Sequence, residues 1–96
     1  MPAATRIGDA DVTHCSGMTR AQGSPNDFVN SSPWSRQGDV NTVHLLPGVP
    51  CPAHAAPIAV GSSTVFVNGK GAGRVGDAIS GCTSVAAGSS NVFAGG

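Results

Sequence analysis

The chain has 96 residues, five basic and five acidic, and a formal net charge of zero with its three histidines neutral. One domain is expected over residues 1–96. With no basic run, nucleic-acid binding through phosphates is excluded. There is no run of 18 apolar residues to span a bilayer and no basic-then-apolar leader. Val, Ile, Leu and Phe number only 19, against 21 glycines and prolines. At about 25 cal/mol per Å² of apolar burial, such a core barely exceeds the chain entropy lost on folding. Chains of this kind lean on a metal, a disulfide or a partner.

Taken in order, the chain opens on a first Arg-x-Gly-Asp, Arg6-Ile7-Gly8-Asp9, followed by a connector holding His14 and Cys15. Gly23-Ser24 then leads to Phe28, with Pro25 marking an edge or turn. Pro33 and Trp34 precede the second copy, Arg36-Gln37-Gly38-Asp39. Val40, Val43, Leu45 and Leu46 make a short β-prone run around His44. The loop Pro47-Gly48-Val49-Pro50-Cys51-Pro52-Ala53-His54 has a backbone restricted by its prolines. The strongest local signal follows. Thr64-Val65-Phe66-Val67 alternates as a strand, and Asn68-Gly69 is a type I′ hairpin turn. Arg74-Val75-Gly76-Asp77 is the third copy, and Gly88-Ser89 leads to a last strand with Val92 and Phe93. No helical periodicity rises above noise, apart from one possible turn over residues 84–87. The expected fold is mostly β.

Two patterns therefore alternate three times, Arg-x-Gly-Asp and Gly-Ser-x-x-x-Phe, with 30 and then 38 residues between successive arginines. Such repetition suggests a pseudo-threefold domain of three hairpin-like units. Five residues after each repeated aspartate stands a metal-ligand type: His14, His44 and Cys82. Equivalent positions converge near a pseudo-threefold axis, and His54 supplies a fourth ligand. Three imidazoles and a thiolate suit tetrahedral zinc. Cys51, three positions before His54 in Cys51-Pro52-Ala53-His54, is the rival ligand. Cys15 reads as local packing. Cys15 and Cys51 are free thiols or a pair; cytoplasmic synthesis favours thiols.

Other residues admit plainer roles. Asp9, Asp39 and Asp77 read as turn residues accepting backbone N–H bonds after the glycine. Arg6, Arg36 and Arg74 read as pairing with acidic groups or carbonyls of neighbouring units, or with a partner. Phe28, Phe66 and Phe93 read as shared core; an exposed set would instead mark a docking face. Trp34 is a surface packing residue or a partner hot spot.

These residues resemble the PAAR-repeat family, whose members repeat Pro-Ala-Ala-Arg-Val-Gly-Asp segments and Gly-Ser hairpins ending in Asn-Gly-Lys. The third copy, Asn68-Gly69-Lys70-Gly71-Ala72-Gly73-Arg74-Val75-Gly76-Asp77, is nearest. The first has Thr5 inserted between Ala4 and Arg6, and the second has Trp34 and Ser35 in place of two alanines. The resemblance covers essentially the whole chain. It implies a small conical domain that caps the trimeric β-helical spike of a contractile injection machine, one copy per trimer. Such machines include type VI secretion systems and phage-like tails. It implies structural zinc near the tip on His14, His44, His54 and Cys82, transient contact with a target membrane, and no catalysis. It also implies synthesis in the cytoplasm and delivery outside the cell without a signal peptide. The alternatives are an adaptor that recruits a separate effector and, with no His-Glu-x-x-His helix in its favour, a small zinc hydrolase.

Overall fold

The structure, a computed structural model, describes residues 2–13, 17–45, 53–80 and 83–95. Six two-residue strands form three antiparallel hairpins: β1 (Phe28–Val29) with β2 (Ser32–Pro33), β3 (His44–Leu45) with β4 (Ala53–His54), and β5 (Phe66–Val67) with β6 (Lys70–Gly71). Single β-bridges extend these into a larger, closed pattern. Among the described residues there is no helix, and residues 84 and 85 lie in bridges rather than a helical turn. The fold is mostly β, as the sequence implies.

An axis runs through the molecule, and three segments meet on it. The Thr5 amide donates to the Gly73 carbonyl (3.1 Å), the Gly73 amide to Ser35 (2.8 Å), and the Ser35 amide to Thr5 (3.0 Å). The three bonds form a closed ring, and all three residues are buried. Around it, Arg6 bridges to Trp34, Arg36 to Ala72 and Arg74 to Ala4, so each unit grips the next. These bridges make Ala4, Trp34 and Ala72 equivalent, each two residues before its arginine. Thr5 is thus the counterpart of Ser35 and Gly73, and the expected insertion at Thr5 is a substitution. Gly73 is where the ring is tightest: a Cβ there would lie 2.5 Å from the Ser35 carbonyl oxygen.

On one side of the ring stand three antiparallel pairs. The first joins Ala10 to Thr19, the second Val40 to Pro57 and His44 to His54, the third Ala78 to Ser84. They pack as a closed three-sided set. Arg20 bridges to Asn41, Ile58 to Ile79, and Asp11 to Val85. Each contact sets a returning strand antiparallel to an outgoing one, so all three pairs run toward the same end of the molecule, here called the upper end. The core is thin and lies mostly between the second and third pairs, where Ala56, Ile58, Ile79 and Val85 pack with Val75.

On the other side lie the lower hairpins. Asn68 (φ 54°) and Gly69 (φ 77°) make the predicted turn between β5 and β6. Asn30 (φ 51°) and Ser31 (φ 69°) make the same turn between β1 and β2. A serine with positive φ is uncommon, so no sequence signal marks that hairpin. The third lower pair has no turn. It is assembled from the two ends of the sequence: Ala3 bridges to Phe93, Ala4 N–H donates to Val92 and Ala94 N–H to Pro2. Val67, Ala72 and Ala94 form the core here, with Trp34 and Val65 against them. The alternation reads as predicted, with Val67 buried and Thr64 and Phe66 exposed.

Gly73→Ala drives a methyl into backbone and is expected to cost about 3 kcal/mol in urea unfolding. Gly8→Ala, in open space but at φ +93°, is expected to cost about 1 kcal/mol. Equal losses at the two sites would contradict the axial ring as the tight point.

Candidate functional site

The repeated Arg-x-Gly-Asp is a self-contained staple. The Arg6 amide and Nε both donate to Asp9 Oδ2 at 2.8 Å, and Nη2 donates to Oδ1 at 3.0 Å. The same three bonds recur from Arg36 to Asp39 and from Arg74 to Asp77. Glycine supplies the left-handed φ near +91° that turns the chain between them. The carboxylates therefore accept from the arginine before the glycine, not from amides after it. Each arginine's acidic partner lies in its own unit rather than a neighbouring one. The hydrogen bonds donated to Asp9 and Asp39 push the Arg6 and Arg36 guanidinium pKa values up, against the opposing effect of burial.

The remaining donor of each arginine does reach a neighbour. Arg6 Nη1 donates to Asn30 Oδ1, Arg36 Nη1 to Asn68 Oδ1, and Arg74 Nη1 to the Gly95 carbonyl. The same three oxygens accept from the Gly-Ser serines: Asn30 from Ser89, Asn68 from Ser24, Gly95 from Ser62. Each serine Oγ in turn accepts two backbone amides of its own loop. A side-chain amide in two units and a main-chain carbonyl in the third thus do one job. These networks, together with the apolar cluster around Val67, tie the lower layer together.

Against this frame stand the three phenylalanines. Phe28, Phe66 and Phe93 are 53%, 59% and 47% exposed. They occupy equivalent positions, opposite Pro33, Gly71 and Ala3. They are not shared core, because the valines beside them, Val29 and Val67, take the interior positions. The result is three aromatic rings set around one axis in solvent. Trp34 packs inward on the lower core, its indole N–H donating to the Gly73 carbonyl at 3.0 Å.

Of the four expected metal ligands, the structure brings two together by backbone register: His44 and His54 are directly opposed in the β3–β4 pair. His14 and Cys82 lie outside the described residues, as do Cys15 and the rival Cys51. Among the described residues no group of three His, Cys, Asp or Glu side chains is gathered. The described flanks are nevertheless close: Val12 N–H donates to the Ser84 carbonyl at 2.8 Å. The donor types and the common direction of the three upper pairs fit a tetrahedral zinc centre.

One group of buried residues escaped the sequence reading: Asp11, Arg20 and Asn41, hydrogen-bonded inside the upper layer. Their signal was positional. Asp11, Asn41 and Ile79 each stand two residues after a repeated aspartate.

A family model for the PAAR motif matches residues 48–96, just over half of the chain. The chain belongs to the PAAR motif family. No curated protein matches it. The match covers the later part of the second unit and the third unit, where the hairpin with Asn68-Gly69 and the third Arg-x-Gly-Asp stand. Threefold bonding around Thr5, Ser35 and Gly73 carries the same arrangement into the first unit, despite its divergent residues.

Because each aspartate holds a partly buried guanidinium, its loss leaves an unmatched charge. Asp39→Ala is expected to cost about 3 kcal/mol in thermal unfolding. Asp9→Ala should cost less, because the Arg6–Asp9 pair is more exposed (22%/14% against 12%/5% for Arg36–Asp39).

Proposed function

We propose that this PAAR protein is a structural cap for the end of a threefold spike in a contractile injection machine, one copy per spike trimer. The observation that carries this reading is the set of equivalent, exposed phenylalanines around a pseudo-threefold axis. A single chain meets three identical chains without mismatch only if it repeats its own contacts three times. Three aromatic rings so placed offer one anchor to each spike chain. At the opposite end, the three upper pairs would be pinned by zinc on His14, His44, His54 and Cys82. Four protein ligands close the coordination shell, which makes the ion a folding element and leaves no position for a substrate or water. On this reading the protein does no chemistry. It is assembled on the spike in the cytoplasm and leaves the cell with it, and its upper end is the part that meets a target membrane.

Native mass spectrometry of the chain mixed with its candidate spike tests both halves together. One zinc per chain and one chain per three spike subunits are expected. Phe66→Asp is expected to weaken spike binding by about 10- to 100-fold, the equivalent of losing one buried aromatic anchor, with the melting temperature unchanged because the ring is exposed. Chelation of zinc is expected to lower the melting temperature while leaving Phe-dependent binding intact at low temperature. A folded chain that binds no trimer, or binds as three copies, would overturn the capping role.

A further inference from the structure

The upper layer is polar in one part and apolar in the rest. Arg20 Nη2 donates to Asp11 Oδ2 at 2.9 Å, and neither side chain has exposed surface. Arg20 Nη1 also donates to the Asp39 carbonyl at 3.2 Å. Asn41 Nδ2 donates to the same Asp11 oxygen at 3.1 Å, and Asn41 Oδ1 accepts from the Ala56 amide at 2.9 Å. In the third unit, Ile79 and Val85 stand where Asp11 and Arg20 stand in the first. Both are buried, against Ala56 and Ile58.

The polar residues are not placed at random with respect to the expected ligands. Asp11 lies three residues before His14, Asn41 three before His44, and Ala56 two after His54. One hydrogen-bonded chain, Asp11 to Asn41 to Ala56, therefore ties together the segments that lead to His14 and His44 and follow His54 in the sequence. Ile79 lies three residues before Cys82 and belongs to the apolar part. A buried ion pair is a poor source of stability, since apolar residues of similar volume serve as well or better. The third unit shows that an apolar solution exists in this very layer. What directional hydrogen bonds add is axial register, because they are lost on a small slide that apolar contacts tolerate.

We propose that Asp11, Arg20 and Asn41 are positioning residues for the metal centre: they fix the relative heights of the three histidine-bearing segments. This rests on the zinc reading above. Residues around a metal site that orient its ligands typically change affinity 10- to 100-fold when replaced.

The test uses the full chain with zinc, measured by competition with a chromophoric chelator, and with Co²⁺, whose visible ligand-field spectrum reports coordination geometry. Asn41→Leu, and the double variant Asp11→Leu/Arg20→Leu, are expected to bind zinc about 10- to 100-fold more weakly and to shift the Co²⁺ spectrum. Ile79→Val, which loosens the apolar part of the same layer, is expected to keep the wild-type spectrum and an affinity within about threefold of wild type. Wild-type spectrum and affinity in Asn41→Leu would overturn the proposal. So would an equal shift in Ile79→Val, or failure of Asn41→Leu to fold with zinc present, since either makes the network a matter of general stability. If the unaltered chain binds no zinc, the metal reading itself fails and the positioning role falls with it, an outcome distinguishable from the others.

Discussion

The fold depends on a ring of three backbone hydrogen bonds through Thr5, Gly73 and Ser35. No two of these residues are neighbours in sequence, so the ring closes only when all three units are in place. Nothing bulky fits inside it, which is why the positions hold threonine, serine and glycine rather than core-forming side chains. Backbone groups buried there need partners, and each unit satisfies the next. The arrangement makes the units interdependent and gives a short chain the cooperativity that a thin apolar core does not supply. It also explains the pairing of the two sequence ends, because the third unit is incomplete until residues 2–4 dock beside residues 92–94.

Around that ring, polar groups do much of what hydrocarbon does in larger domains. Among the described residues, as many polar or charged ones as apolar ones are buried, including Ser24, Ser62, Ser89, Asp39 and Asp77. These three serines and two aspartates are hydrogen-bonded, and the same set of bonds recurs once per unit. A glycine turn sets an arginine and an aspartate three residues apart, and the guanidinium then has one hand free for its neighbour. The repeated sequence signature is thus a joint between units, and its charges are largely consumed in making it. A chemical role for Asp9, Asp39 or Asp77 would have to compete with those bonds.

What the sequence disclosed was whatever is local. The Asn68-Gly69 hairpin, the alternation around Val67 and the threefold recurrence were legible because turn chemistry and period-two patterning act over a few residues. The hairpin at Asn30 and Ser31 was not, since it uses a serine in a left-handed conformation and a proline in its return strand. Nor was the outward placement of Phe28, Phe66 and Phe93: an aromatic in a two-residue strand faces either way until the valine beside it is known to face inward. Thr5 looked like an insertion because it was counted along the chain from Pro2; the bridges count it from Arg6. At the site, an offset of five residues from each repeated aspartate marked His14, His44 and Cys82, but only strand register sets His44 against His54. The Asp11–Arg20–Asn41 network left only a positional trace, two residues after a repeated aspartate, since Arg20 and Asn41 are 9 and 30 residues from Asp11 along the chain.

The symmetry is kept and broken in different places, and the pattern has a physical logic. It is kept in the ring, the staples and the exposed phenylalanines. It is broken inside, where Trp34 replaces an alanine-sized residue in the lower core and an ion pair replaces aliphatic side chains in the upper layer. An interior has only itself to satisfy, so three units can fill it with unlike side chains as long as the volumes and hydrogen bonds close. A surface that must meet three identical surfaces has no such freedom, because any departure in one unit is a defect against its partner. Equivalent aromatics on the outside of a chain whose inside differs from unit to unit are what the proposed threefold partner would require, and internal packing alone gives no reason for them.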